Sequence, residues 1–276
     1  MSVAKKRFTI KDEVDSKQHS TLFASVKVIF FILFLALVPV LFYNPDVSFG
    51  PFDVFRRDFF KTEIILSGEK YDSDGLVSAI RGMDFKTVKL FVRSGFNLND
   101  LDSQGNLPLC VAAETGSLDM VDILLQGDVN LVKRNLSNNL TPLFCAIKGN
   151  NIQIIDKFVN SGISINTRNE NSKGISPIHY AAALGRDNVI SHLIKLGADV
   201  NVTNLDGQTP LHNAVLQDNI VVLYMLLNSG AKVDVVDKYG ETPLSLTIEN
   251  DNDLYAALLK RYLKADASTS LNNLAV

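Results

Sequence analysis

One short phrase recurs down the chain: Thr141-Pro142-Leu143-Phe144, Ser176-Pro177-Ile178-His179, Thr209-Pro210-Leu211-His212 and Thr242-Pro243-Leu244-Ser245. A degenerate copy stands upstream as Leu107-Pro108-Leu109-Cys110. The prolines step by 34, 35, 33 and 33 residues. A unit this short cannot bury an apolar face alone, so it must stack on copies of itself. A period of about 33 residues that opens in this way reads as a row of helix–turn–helix units.

The clearest unit runs from Gly174 to Asn201. Ser176 suits an N-cap and Pro177 the first helical turn. Ala181 and Ala182 are small enough to let neighbouring helices approach closely. Gly185 ends the first helix. Val189, Ile190, Leu193 and Ile194 recur at helical spacing as the buried stripe of a second helix. Gly197 stands where a left-handed residue closes that helix, and Ala198-Asp199-Val200-Asn201 leads into the next turn. This combination resembles the ankyrin repeat family, whose unit is a β-turn plus two antiparallel helices. The resemblance covers residues 73–263 and gives six units, starting near Ser73, Gly105, Asn139, Gly174, Gly207 and Gly240. The first lacks the phrase but keeps Ala79, Val88, Phe91, Gly95 and Asn99 in register. Asn150 and Asp218 replace the glycine between helices, which predicts looser or differently shaped turns. The loops 132–138 and 167–173 carry small insertions that should protrude at hairpin tips. The sixth unit ends in Lys260, Arg261 and Lys264, in keeping with a polar outer face on a terminal repeat.

The flanks add a second theme. Val28 to Pro45 is an uncharged apolar run of 18 residues, nearly enough to cross a bilayer core about 30 Å thick. The polar segment before it is long, and no small-residue cleavage site follows, so it reads as an uncleaved signal anchor rather than a signal peptide. Six Lys or Arg precede the run, against Arg56, Arg57 and Lys61 after it. That bias predicts a cytoplasmic N-terminus and repeats on the far side, periplasmic or exoplasmic; the opposite placement, with repeats in the cytoplasm, is the alternative. The expected fold is therefore an all-α ankyrin repeat solenoid preceded by one transmembrane helix. Its parts are a basic tail (1–25), the anchor (26–45), a linker (46–72), the repeats (73–263) and a loose tail (264–276). In the linker, Phe52, Phe55, Phe59, Phe60 and Ile64 suit either an interfacial amphipathic helix or a cap on the first repeat.

Chemistry is sparse. The formal charge of −3 offers no basic patch for nucleic acid. Two cysteines, Cys110 and Cys145, are too few for a disulfide scaffold and read as buried thiols. No phosphate-binding loop, nucleophile elbow or zinc pattern is present, so neither catalysis, metal, cofactor nor small-molecule substrate is expected. The resemblance implies that His179 and His212 are structural. It also implies that partners meet the hairpin tips and first helices, a concave face. Among the residues carried onto that face, the apolar ones fall late: Ile175, Leu184, Leu205, Leu216 and Tyr239, with Tyr180 beside them and Glu241 at the last tip. These are the candidate protein-binding residues. Val221 and Tyr224 stand where the family's second helix is usually charged. The expected function is a membrane-tethered scaffold for a partner protein, with an inhibitor or immunity protein against a toxin or hydrolase as the alternative.

Overall fold

A computed structural model of the chain describes residues 52–169, 173–249 and 252–273. The chain divides into two compact units, Met1–Phe55 and Arg56–Val276. The apolar run Val28–Pro45 lies outside the described residues; among those described, no helix is long and apolar enough to cross a membrane.

The described residues form thirteen helices and no strand. They are α1 Phe52–Leu66, α2 Ser73–Arg81, α3 Phe85–Arg93, α4 Pro108–Thr115, α5 Leu118–Leu124, α6 Pro142–Lys148 and α7 Ile152–Asn160. Then follow α8 Pro177–Ala183, α9 Asp187–Lys195, α10 Pro210–Leu216, α11 Ile220–Asn228, α12 Pro243–Glu249 and α13 Asp253–Asn273. From α2 onward they pair into six units. The first helices stack as α2, α4, α6, α8, α10 and α12, and the second helices from α3 to α11 stack alongside.

Each repeated residue has a mechanical reason. The prolines open the first helices, where a missing N–H costs nothing. Ala79, Ala112, Ala146, Ala181 and Ala214 occupy one column and are buried, so first helices pack with little between their backbones. In the first unit Gly75 replaces the proline, because a Cβ there would meet the Lys70 carbonyl oxygen at 1.9 Å. The asparagine that ends a unit clasps the next one. Asn201 accepts from the Lys232 N–H at 2.8 Å and donates to the Gly230 carbonyl at 3.0 Å, and Asn166 and Asn99 do the same one and three joints upstream.

The structure alters four expectations. The turns at Asn150 and Asp218 are not reshaped. Both residues hold φ values of +59° and +53°, matching Gly116 and Gly185 at the same position, because Asn and Asp tolerate the left-handed region. The linker is largely helical: α1 buries Phe60 and Ile64 in the core, with Glu63 paired to Lys86 at 3.4 Å and the Lys61 ammonium over the Tyr71 ring. Those contacts make α1 a cap on the first repeat. The last helix continues to Asn273, past the point where a loose tail was expected. Finally, the end of the last repeat is mixed: Lys260, Arg261 and Lys264 are exposed, and so are the apolar Ile248 and Leu254.

If α1 is a cap, Ile64→Ala destabilises the array by about 2–5 kcal/mol. Leu66→Ala on the same helix, where the side chain is exposed, changes stability by under about 0.5 kcal/mol. Urea unfolding of the two variants checks this; equal midpoints would rule the cap out.

Candidate protein-binding surface

Three of the hairpin tips are each built by one aspartate or asparagine. The Asp237 carboxylate accepts the N–H groups of Tyr239 and Glu241 at 2.8 and 3.0 Å. Asn204 holds Asp206 and Gln208 in the same way, and Asp102 holds Gln104 and Asn106. Tips are also tied to their neighbours by backbone: Leu205 N–H donates to the Lys173 carbonyl at 2.9 Å, and Lys238 N–H to that of Asp206 at 2.8 Å. The side chains between these bonds are thereby fixed to point outward.

Of the seven predicted residues, four are exposed: Leu205 (64%), Tyr239 (67%), Leu216 (45%) and Leu184 (38%). Leu205 lies over Gly174, whose missing Cβ leaves it room; a Cβ there would meet Leu205 Cγ at 2.7 Å. Tyr239 carries the Lys238 ammonium 4.9 Å above its ring, and Lys238 also pairs with Asp206. Leu216 ends α10, and Leu184 caps α8. Ile175 and Tyr180 are half-buried, Tyr180 lying against Phe144 with ring centroids 5.6 Å apart. Glu241 is half-buried, and its backbone serves the architecture at both ends.

The same face is polar earlier in the array. Lys148 reaches both carboxylate oxygens of Glu114 at 3.2 Å, and Arg81 stands 3.9 Å from Asp102. Arg81, Glu114 and Lys148, with Asn106 and Thr115, line an open groove of about 490 Å³. On the first helices the concave face therefore changes from the Glu114–Lys148 pair of repeats two and three to exposed Leu184 and Leu216 in repeats four and five, while the tips of repeats five and six carry the Lys238–Asp206 pair beside Leu205 and Tyr239. The outer face changes in parallel. Asp122 pairs with Lys157 at 2.6 Å and Asp156 with His192 at 2.5 Å, whereas Val221 and Tyr224, at the corresponding part of α11, are exposed. One tip escaped the sequence prediction: Leu136, in the insertion before the third repeat, is 77% exposed. Its signal was the extra residue between Asn135 and the next phrase.

Two family models match this chain. One, ankyrin repeats in three copies, matches residues 127–204 and 178–270, together more than half the chain; the other, ankyrin repeats in many copies, matches 93–137. The chain belongs to the ankyrin repeat family. Curated relatives include the ANK repeat-containing protein nipk-1 of Caenorhabditis elegans, 32% identical over 120 residues, which covers 40% of this chain and 19% of that protein. The putative ankyrin repeat protein FPV031 of Fowlpox virus is 31% identical over 147 residues, 51% of this chain and 42% of that one. The transient receptor potential cation channel subfamily A member 1 of Drosophila melanogaster is 30% identical over 48% of this chain but only 11% of its own length. The chain thus spans less than half of each of these relatives. Among solved structures, the ankyrin repeat domain of Bcl-3 aligns with a TM-score of 0.56 at 25% identity, covering 62% of this chain and 76% of that one. One chain of the complex between the Bd0816 predatory endopeptidase of Bdellovibrio bacteriovorus and immunity protein Bd3460 aligns at 0.58 and 25% identity, covering 67% and 96%.

The histidines of the ankyrin phrase are committed to the frame. His179 Nδ1 accepts from the Ser176 N–H and hydroxyl, at 3.3 and 2.7 Å, so its proton sits on Nε2, which donates to the Gln208 carbonyl at 2.9 Å. His212 repeats this between Thr209 and Glu241. Burial pushes the His179 pKa down to about 4 and lowers that of His212 too. Among the described residues, no group of three or more His, Cys, Asp or Glu side chains is arranged to hold a metal ion.

Because both histidines are held neutral in the fold, their stabilisation is complete above the ordinary histidine pKa of about 6.5. It is lost as pH falls from there towards 4, since the unfolded chain then binds protons that the folded chain refuses. For His179 the loss reaches roughly 3 kcal/mol by pH 4. Thermal unfolding midpoints should fall across this window, and less steeply in His179→Gln. An unchanged slope in that variant would remove the histidine from the account.

Proposed function

We propose that this protein is a membrane-tethered scaffold that holds a partner protein on the concave face of repeats four to six. The carrying observation is the change along that face, from the Glu114–Lys148 pair to the exposed side chains of Leu184, Leu205, Leu216 and Tyr239. Exposed apolar side chains with an aromatic among them are the usual anchors of an interface. Leu205 and Tyr239 sit on tips fixed by backbone bonds and Leu184 and Leu216 at helix ends, so little ordering entropy opposes binding. The apolar run Val28–Pro45 supports the tether, which raises the effective concentration of whatever the repeats bind near the bilayer. The charge bias around that run supports repeats on the far side of the membrane from a cytoplasmic N-terminus. A reporter fused after Val276 and active only outside the cytoplasm tests that side; silence there reverses the orientation.

Leu205→Glu, Leu216→Glu and Tyr239→Glu are each expected to weaken partner capture at least about tenfold, a loss of 1.4 kcal/mol or more. Their thermal midpoints stay near wild type, because exposed positions change stability by under about 0.5 kcal/mol. Variants that unfold, or that capture the partner normally, would remove this face from the proposal.

A second reading is an inhibitor or immunity protein that restrains a hydrolase outside the cytoplasm. Its support is the likeness to one chain of the solved endopeptidase–immunity protein complex. Under this reading, deletion is toxic only while a co-encoded secreted hydrolase is expressed. Toxicity without such an enzyme, or none with it, argues for the scaffold alone.

A further inference from the structure

Each inner repeat hands an apolar side to the next. Five residues after the proline stand Ala113, Ile147 and Ala182, all fully buried, and Val215, 4% exposed. The sixth repeat carries Ile248 there, and it is 61% exposed. One residue after the proline, Leu109, Leu143, Ile178 and Leu211 are buried, while Leu244 is only half-buried. The second helix adds apolar residues beside it. The outward column Lys86, Asp119, Gln153 and Asn188, exposed in every repeat, turns apolar at Val221 and Leu254, 52% and 66% exposed. Asp122 and Asp156, which reach the following repeat's Lys157 and His192, are followed in their column by Ser191, Tyr224 and the exposed Ala257. The end of the array is thus a stacking face left open at Leu244 and Ile248, with the apolar Leu254 and Ala257 beside it. The other end is different: there α1 lays Phe60 and Ile64 over the first repeat.

A seventh repeat of the same kind is a poor fit. In the second, fourth and fifth repeats the side chain two residues after the proline donates to the next turn, Cys110 to Leu140, His179 to Gln208 and His212 to Glu241, and in the third Phe144 there packs its ring on Tyr180 of the next repeat. Ser245 stands at that position in the sixth repeat. Its hydroxyl turns back to the Thr242 carbonyl at 3.0 Å and accepts the Thr242 N–H at 2.7 Å, so nothing is offered onward. A head-to-tail chain of copies is also closed off, because α1 occupies the face that would receive the next molecule.

We infer that the face formed by Leu244, Ile248, Leu254 and Ala257 docks a second copy of this chain, tail to tail. Pairing a face with its own image is two-fold and closed, so it yields a dimer and not a fibre. The contact extends the repeat-to-repeat interface by one joint. An antiparallel pairing of the two α13 helices also sets the acidic start of each, at Asp253, near the basic stretch Lys260, Arg261 and Lys264 of the other, all of them exposed.

The test is sedimentation equilibrium of the full chain in detergent, across a dilution series. Wild type is expected to dissociate from dimer to monomer on dilution, and Ile248→Glu and Leu254→Glu each to raise the dissociation constant about tenfold or more. A wild-type monomer at every concentration overturns the proposal. So does a dimer indifferent to both substitutions, which would assign the contact to the apolar segment Val28–Pro45. Single Ile248→Cys and Leu254→Cys variants keep the question open to decision if the charged variants misfold. Mild oxidation should link each to its own copy, the native Cys110 and Cys145 being buried. No intermolecular link, or protection of these positions by the chain's own residues 265–276, counts against it.

Discussion

The register of the array rests on one bond that the second, fourth and fifth repeats each pass to the next. A side chain two residues after the proline donates to the carbonyl two residues before the following proline. Cys110 does this to Leu140 at 3.7 Å, His179 to Gln208 at 2.9 Å and His212 to Glu241 at 3.3 Å. Each such bond contributes only about 1 kcal/mol net, but a buried donor or acceptor left without it costs 1–3 kcal/mol. The penalty for slipping is therefore larger than the reward for pairing, and it sets the register of the stack. The third repeat, which has Phe144 at this position, is held by ring packing on Tyr180. The two thiols belong to the same buried layer: hydrogen bonding with Cys110, then burial, pushes the Cys145 thiol far above its ordinary range, so it stays protonated and unreactive.

Architecture and recognition consequently use different residues. The phrase, the alanine column and the clasping asparagines are consumed internally, each with its bonding partners or its burial accounted for. What varies is left outside: the two residues at each hairpin tip, the last turn of each first helix and the outward column of each second helix. Along the first helices Glu114–Lys148 gives way to Leu184 and Leu216, and along the second helices Asp122–Lys157 and Asp156–His192 give way to Val221 and Tyr224. A stack that needs so little of its surface for stability is free to concentrate apolar character at one end.

Most of this was legible because the signals are local and repeated. Proline, alanine and glycine in fixed register give helix starts, close approaches and turns without knowledge of neighbours, and the histidines could be read as structural from their place in the phrase. The errors came where the outcome depends on what lies next in space. Asn150 and Asp218 read as departures from glycine, yet the fold demands only a positive φ, which both supply. Phe60 and Ile64 suited a membrane interface or a cap equally well by pattern; only the apolar side of the first repeat distinguishes them. Ile248 looks like any other buried column residue in the sequence. Its exposure follows from the absence of a covering partner, and periodicity carries no information about that. On the concave face the pattern placed residues but not their depth: Ile175, Tyr180 and Glu241 stand closer to the start of the first helix than Leu184, Leu205, Leu216 and Tyr239, and are half-buried.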